Sequence, residues 1–380
     1  MAGQSSVADP FRMPAPRVLA ALSGGVDSSL AALLLKQQGY DVVGVFLRNG
    51  IEKPPQDACT TKQGCCSEED ALDAARVADR LGIPFHAVDM EREFGAIIEG
   101  FVDDYAHGRT PNPCAVCNRD IKFGALAQLA DALGAGQLAT GHYARIQSGP
   151  HGPQLLRGLD PRKDQSYVLF PVAPEVLART LLPVGGMHKS EVRALAEEHG
   201  LLTAGKPDSV EICFVPTGDY RDLLRARGGL GKPGRVVDLD GRVLAEHEGH
   251  MGFTRGQRRG LGFAASEPMY VIDIDAGSGD VTVGPRSATG CESAVVEDFR
   301  VFGLPDPAGE TWDGVTVQFR SSPGGQPATV SVGEGGLAEV RFAAPAQSVN
   351  PGQGLAVYRD ERLLGGGWIT RVRRSSRLPV

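Results

Sequence analysis

Three short segments of this 380-residue chain hold residues whose types and spacing could do chemistry. The first is Ser23-Gly24-Gly25-Val26-Asp27-Ser28-Ser29, which follows the apolar run Val18-Leu19-Ala20-Ala21-Leu22 and opens a helical pattern at Leu30. A strand that hands over to a helix in this way leaves backbone N–H groups unpaired, and two glycines let an anion approach them closely. Phosphate binding is the chemistry this favours, with Asp27 placed to help hold Mg²⁺ beside the phosphates. The Lys-Ser/Thr ending of a Walker loop is missing, and the glycine spacing is not that of a dinucleotide fingerprint. The plainer alternative is a glycine turn with a serine helix cap.

The second segment is Gly108-Arg109-Thr110-Pro111-Asn112-Pro113-Cys114-Ala115-Val116-Cys117-Asn118. Its prolines bias Thr110 and Asn112 towards extended backbone. Asn118 reads as the N-cap of the helix that follows, which places Cys117 just outside a helix N-terminus, where a thiolate nucleophile is favoured. A buried structural thiol and half of a zinc site are the alternatives; no matching second half is obvious, although Cys59, Cys65 and Cys66 lie in a nearby insert. The third segment, Gly205-Lys206-Pro207-Asp208-Ser209-Val210-Glu211-Ile212-Cys213-Phe214, carries a lone cysteine in an apolar setting. Such a cysteine suits a core as well as it suits catalysis.

The elements that must position these residues follow from periodicity. Runs at 18–22, 41–47, 85–89 and 137–140 read as strands, alternating with helical patterns over 29–38, 68–81, 92–105 and 119–133. Ser67 with Asp70 reads as a capping pair, and Gly39, Gly82 and Gly134 stand where helices stop. This alternation specifies a parallel sheet covered by helices on both faces, with a ligand crevice at the carboxyl ends of its strands. A further helix over 191–199 starts at Ser190 as its cap. After about residue 217 short β-rich runs at 235–239, 269–273 and 280–283 are separated by glycines. Alternating runs near 294–301, 315–319, 337–342 and 355–359 then predict a small antiparallel barrel. The expected class is α/β: a disordered tail over 1–16, a doubly wound parallel-sheet domain over 17–216, a small β-rich central domain over 217–290 and a C-terminal antiparallel β-barrel over 291–376.

Composition narrows the function classes. Seven cysteines, odd in number and unevenly placed, argue against a disulfide scaffold. No apolar run approaches the roughly 18 residues of a membrane span, and the first residues lack the apolar core of a signal peptide, so a cytoplasmic protein away from membranes is expected. A net charge of −7 argues against nucleic-acid binding through global charge and requires local patches. Candidates are Arg255, Arg258 and Arg259, then Arg371, Arg373, Arg374 and Arg377, and the loop from Arg157 to Lys163.

Taken together, the three segments resemble one family, the tRNA-specific 2-thiouridylases of the ATP pyrophosphatase (PP-loop) superfamily. Further matches are Ala139-Thr140-Gly141-His142-Tyr143-Ala144-Arg145, Gly158-Leu159-Asp160, Lys163-Asp164-Gln165-Ser166-Tyr167, Gly256-Gln257-Arg258 and Pro351-Gly352-Gln353, spanning about 17–369. The resemblance implies ATP-dependent replacement of the C2 oxygen of a wobble uridine by sulfur, in tRNAs for Lys, Glu and Gln. It implies ATP contacts at Ala21, Leu22, Ser23, Gly24, Gly25, Val26, Asp27, Ser28, Leu47 and Gly141. Asn112, Pro113 and Cys114 border the target base on this reading, with tRNA contacts at His142, Lys163, Asp164, Gln165, Gln318, Phe319 and Gln353. Cys117 becomes the nucleophile and Cys213 the persulfide carrier, the two able to form a disulfide. A persulfide donor protein, Mg²⁺ and a monomeric state are implied with them.

Two departures stand out. Cys114 occupies a position where some relatives have aspartate, which creates a three-thiolate set of Cys114, Cys117 and Cys213 and a minority alternative in which they hold a [4Fe-4S] cluster. Gln318-Phe319 stands where relatives often show Arg-Tyr. Two rival functions share parts of the pattern: another ATP pyrophosphatase, which needs no paired thiols, and a non-catalytic RNA-binding protein, which needs no ATP.

Overall fold

Strand and helix alternate through the first half of the chain because apolar runs and helical patterns are separated by glycines at positive φ, Gly39, Gly82 and Gly134, where helices stop. The computed structural model describes residues 15–50, 68–208, 212–215, 218–322 and 324–374. Residues 1–14 of the expected tail, the Ser67 cap, Cys59, Cys65, Cys66 and Arg377 lie outside the described residues.

The chain runs through β1 (Arg17–Ala21), α1 (Val26–Gln37), β2 (Asp41–Arg48), α2 (Glu68–Leu81), β3 (Phe85–Asp89) and α3 (Glu91–Ala106). Next come α4 (Pro113–Cys117), a π-helical stretch (Asn118–Ala125) and α5 (Leu126–Ala132), then β4 (Gln137–Ala139). A hairpin of β5 (Ala144–Gly149) and β6 (Gly152–Arg157) precedes α6 (Pro174–Leu177), β7 (Thr180–Leu181) and α7 (Lys189–Glu198). Strands β3-β2-β1-β4-β7 form one parallel sheet in that order. Side chains alternate across it: Val18 and Ala20 of β1 pack with α1, α2 and α7, while Leu19 packs with α3 and α5 on the opposite face. The expected doubly wound sheet is therefore present.

After α8 (Tyr220–Ala226), strands β8 (Gly234–Val237), β9 (Val243–His247), β10 (Met269–Ile274) and β11 (Val281–Pro285) form a central sheet ordered β10-β11-β8-β9. It encloses Val236, Val271, Val281 and Val283. The last six strands are β12 (Gly290–Val301), β13 (Thr311–Gln318), β14 (Gln326–Val332), β15 (Ala338–Gln347), β16 (Gly354–Arg359) and β17 (Arg362–Arg374). Their order β12-β15-β14-β13-β16-β17 closes on itself through β12–β17 pairing, which removes the sheet edges of the barrel.

Several boundaries depart from expectation. Helix α1 starts at Val26, three residues early, so the phosphate-loop segment runs directly into its first turn. Helix α7 starts at Lys189 after His188, whose N–H donates to Glu191 at 2.6 Å, and Ser190 is inside the helix. The helix expected over 119–133 starts at Pro113 instead, because Asn112 is its cap and Pro113 needs no amide partner there. The β5–β6 hairpin, unmarked by sequence periodicity, extends the barrel sheet through Leu155 and Leu156 pairing with Leu363 and Arg362.

Candidate active site

The 23–28 loop lies at the carboxyl end of β1. Gly25 precedes α1 with extended backbone (φ −99°, ψ 166°) and no side-chain cap, so the first-turn amides remain available to an anion. Gly24 has φ +72°, and a Cβ there would stand 2.3 Å from Asp70 O, so only glycine fits. Lys206 fastens this turn by donating to Gly24 O (3.1 Å), Asp70 (2.6 Å) and Asp73 (2.8 Å). Burial works against its ammonium, but those two carboxylates outweigh burial and raise its pKa.

Above the loop lies a cavity of about 260 Å³ at the carboxyl ends of β1, β2 and β4. Its walls hold every expected nucleotide contact except Gly24, together with Val45, Phe46, Phe94 and Ile121 as apolar surface. Gly141 closes one side, and a Cβ there would lie 2.6 Å from Ser28 N. The polar side is a network. Lys189 donates to both oxygens of Asp27 (2.7 and 2.8 Å) and lies 2.8 Å from Asp208, while Tyr143 Oη donates to Asp27 at 2.7 Å. Lys163 and Arg193 reach Asp208 at 2.5 and 2.8 Å. Burial alone would raise the Asp208 carboxyl, but the hydrogen bonds from Lys163 and Lys189 overcome it and hold its pKa at about 2. Burial, then Asp27, push the Tyr143 phenol upward, so it stays a neutral donor.

His142 also faces the cavity and is buried, with Nδ1 2.8 Å from Thr140 Oγ1. Burial, reinforced by the Lys122 charge, lowers its pKa to about 3. The imidazole is neutral at physiological pH, so it can accept or donate one hydrogen bond but brings no charge to an RNA.

Cys117 and Cys213 belong to an apolar cluster that shares Phe94 and Ile121 with the cavity wall. Cys117 is buried and Cys213 half-buried against the same apolar cluster, which includes Phe94, Phe101, Ile121 and Phe214. Of the other described cysteines, Cys114 is exposed and Cys291 buried. Cys117 is the last residue of α4 and continues into the π-helical stretch, so the helix start falls near exposed Cys114 and not at Cys117 as expected. The reason is the Asn112 cap: its Oδ1 accepts from Ala115 N at 3.2 Å. Among the described residues no three His, Cys, Asp or Glu side chains are grouped to hold a metal ion, so the three-thiolate cluster site is not assembled.

The remaining expected tRNA contacts divide. Gln165 is exposed, and its side chain accepts from Tyr143 N at 3.0 Å. Lys163 lines the cavity mouth, whereas Pro113 is buried. Asp164 has a side chain only 6% exposed and saturated by Arg157, Gly158 N and Ser166 N, which makes it a structural anchor of its loop. Gln318 and Phe319 are 3% and 4% exposed. Gln318 accepts from Arg157 at 2.8 Å, and Arg157 stacks over Tyr358 at 3.6 Å, so this pair anchors the hairpin to the barrel and offers no surface to RNA. Of the basic patches, Arg255 is tied to Asp273 and Gly108 O, while Arg258 and Arg259 are exposed.

Three family models match this chain in succession: a "tRNA methyl transferase HUP domain" over residues 16–217, its "PRC-barrel domain" over 223–285 and an "aminomethyltransferase beta-barrel domain" over 296–369. A tRNA-specific 2-thiouridylase MnmA of Rhodospirillum centenum is 45% identical over 95% of this chain and 93% of its own length. One from Geobacter metallireducens is 46% identical over 93% of this chain and 96% of its own. The chain belongs to the tRNA-specific 2-thiouridylase family. A third member, from Acidithiobacillus ferrooxidans, is 44% identical and matched over 98% of its length, so similarity extends across all three sheets of this fold. The family models carry a methyltransferase description while these relatives carry a thiolation name. Two thiols packed in one apolar cluster next to the cavity wall are compatible with the relatives' name.

Sequence reasoning missed Lys189, Lys206, Tyr143 and Asp208 as site residues. Lys206 and Asp208 lie in the segment singled out for Cys213, and Tyr143 follows Gly141-His142, so proximity to those motifs was their only signal. Nothing local marks Lys189, which sits 162 residues from its partner Asp27.

Proposed function

We propose that this protein carries out ATP-dependent 2-thiolation of the wobble uridine of tRNA. The observation that carries the reading is a single cavity that has the capless start of α1 and the Lys189–Asp27 pair on its phosphate side and borders the cluster holding Cys117 and Cys213. A uridine C2 carbonyl is a poor leaving group, so its oxygen is first activated by attack on the α phosphorus of ATP, releasing pyrophosphate. The amides of residues 26–28 and the ammonium groups of Lys189 and Lys163 stabilise the charge that builds up on the departing phosphates. Mg²⁺, when bound, supplies further charge neutralisation there, and Asp27 is the carboxylate placed to hold it, in exchange for its present bonds from Lys189 and Tyr143.

Sulfur transfer follows at the thiols. The terminal sulfur of a Cys213 persulfide attacks C2, and AMP leaves with the original oxygen. The Cys117 thiolate then attacks Cys213 Sγ, breaking the S–S bond; the electron pair stays on the transferred sulfur as 2-thiouridine, and Cys117 and Cys213 close a disulfide. A thiol reductant and a persulfide donor protein complete the cycle. No step is assigned to an iron–sulfur cluster, since its three thiolates are not gathered. The base would be read as an unstacked anticodon nucleotide near Asn112, Cys114 and Gln165, as single-stranded RNA targets usually are. The proposed division assigns catalysis to residues 17–216 and tRNA positioning to 217–290 and 291–376, in a cytoplasmic monomer acting on tRNAs for Lys, Glu and Gln.

The test is incubation of the protein with unmodified tRNA, Mg-ATP and a persulfide donor, followed by nucleoside mass spectrometry. Wild type is expected to yield 2-thiouridine, and Cys117→Ser and Cys213→Ser to yield none. Product that persists in both serine variants, or its absence from wild type with persulfide and sulfide alike, overturns the proposal.

A further inference from the structure

The loop that carries Cys117 is held from two distant parts of the chain. On the barrel side, the turn Asn350-Pro351-Gly352-Gln353 lies against it. Gln353 Nε2 donates to Thr110 O at 3.1 Å and to Pro111 O at 2.9 Å, and Thr110 N donates to Pro351 O at 2.8 Å. Gly352 has φ +91°, and a Cβ there would stand 2.8 Å from Thr110 O and 3.1 Å from Thr110 N. The two backbones therefore meet as closely as glycine allows. On the central-sheet side, Arg255 donates to Gly108 O, and buried Asn350 donates to Arg255 O at 3.1 Å. Asn350 thus joins both supports at one end of the loop.

The loop needs such support because Pro111 and Pro113 have no N–H and cannot contribute to a hydrogen-bonded ladder. Gln353 supplies the side-chain donor to two successive carbonyls just before the Asn112 cap that starts α4. Both hydrogens of its amide nitrogen are engaged there, which leaves only Oε1 for any other partner. Asn112 is fixed from the same direction, since its Nδ2 donates to Tyr167 Oη, which donates to Gly354 O of the barrel.

We propose that Gln353 is a positioning residue for Cys117: its double donation to Thr110 and Pro111 sets the start of α4 and with it the line along which the Cys117 thiolate attacks. This inference rests on the proposed thiolation only through the nucleophilic role of Cys117.

The experiment uses Gln353→Met, which keeps length without donors, and Gln353→Glu, which keeps shape but turns a carboxylate towards two carbonyl oxygens. Four quantities are read on the full chain: single-turnover thiolation at saturating tRNA, tRNA Kd, the rate of Cys117 alkylation without tRNA, and Tm. The expected result is a saturating rate lower by on the order of 10- to 100-fold, with Kd changed less than about twofold. Cys117 alkylation rises several-fold while that of buried Cys291 and the Tm hold, and the Glu variant is at least as impaired as the Met variant. A weakened Kd with an unchanged saturating rate makes Gln353 an RNA contact and overturns the proposal. So does unchanged Cys117 alkylation, or a Tm loss with Cys117 and Cys291 alkylated alike. If wild type forms no 2-thiouridine, the thiolation reading fails, whereas the alkylation measurement still decides whether Gln353 holds the loop.

Discussion

Gly141→Ala places a methyl group 2.6 Å from Ser28 N, 2.8 Å from Asp27 C and 3.0 Å from Ser28 Cα. The closest of these is about 0.8 Å short of the 3.4 Å at which ordinary contact begins. All three atoms are backbone in the first turn of α1, so no side-chain rotation relieves the overlap. Either the 23–28 loop shifts or the strand end carrying Gly141 does, at the overpacking cost of about 1–3 kcal/mol. If the loop absorbs that cost, ATP affinity falls by roughly 5- to 150-fold, because each 1.4 kcal/mol is tenfold in Kd. The assay is calorimetric titration with ATP beside a thermal scan, with Gly136→Ala as control, since a Cβ at Gly136 meets nothing within 4 Å. The control is expected to bind like wild type. Wild-type Kd and Tm in Gly141→Ala would refute the claim that the close approach of these two backbones shapes the phosphate site.

Lys189→Met removes the ammonium shared by Asp27 and Asp208 and is expected to weaken ATP binding about tenfold or more, as a charge-assisted contact would; the same titration measures it. Lys206→Met leaves Asp70 and Asp73 without this partner beneath Gly24, which should cost about 3 kcal/mol. A Tm lower by roughly 6–12 °C is expected, partly recovered by adding Asp70→Asn. For His142, the folded pKa of about 3 lies below the ordinary 6.5, so the unfolded chain binds a proton that the folded one refuses. Its share of stability is complete above pH 6.5 and is lost as pH falls towards 3, by about 2 kcal/mol at pH 5. Urea unfolding should show wild type losing that much more than His142→Gln between pH 7 and 5. Gly100→Ala, in the open flank of α3, should stabilise by about 0.5–1 kcal/mol, and a lower Tm would contradict it.

The phosphate loop was legible in the sequence because everything that makes it is local. Apolar β1, a glycine that must sit at positive φ and a helix start lie within a dozen residues, and the groups offered to an anion are backbone amides, present whatever the side chains around them. The Cys117 loop was legible only in part. Asn112 and Asn118 are equally good capping residues, and what decides between them is Pro113, whose ring favours the first helical position and has no N–H to lose. The π-helical stretch that follows leaves no mark that composition or spacing could show. At Gln318 and Phe319, resemblance carries over a position but not its exposure, and both are buried here. In this chain the amide of Gln318 is consumed by Arg157, and Phe319 packs inside the barrel.

What no local pattern could reveal is the wiring between distant segments, and most of the polar site is of that kind. Asp27 meets Lys189 across 162 residues, Gly24 meets Lys206 across 182, and Gln353 meets Pro111 across 242. Each such pair pays the closure entropy of a long loop before the contact rewards it. The phosphate loop and the charges that face it, Lys189, Lys206 and Asp208, all belong to residues 17–216, whereas the alignment of Cys117 also draws on Gln353 from the barrel side. Truncating the barrel would then leave the parallel sheet with its glycine loop but remove the donors to Thr110 and Pro111, so thiol chemistry should fail before nucleotide binding does.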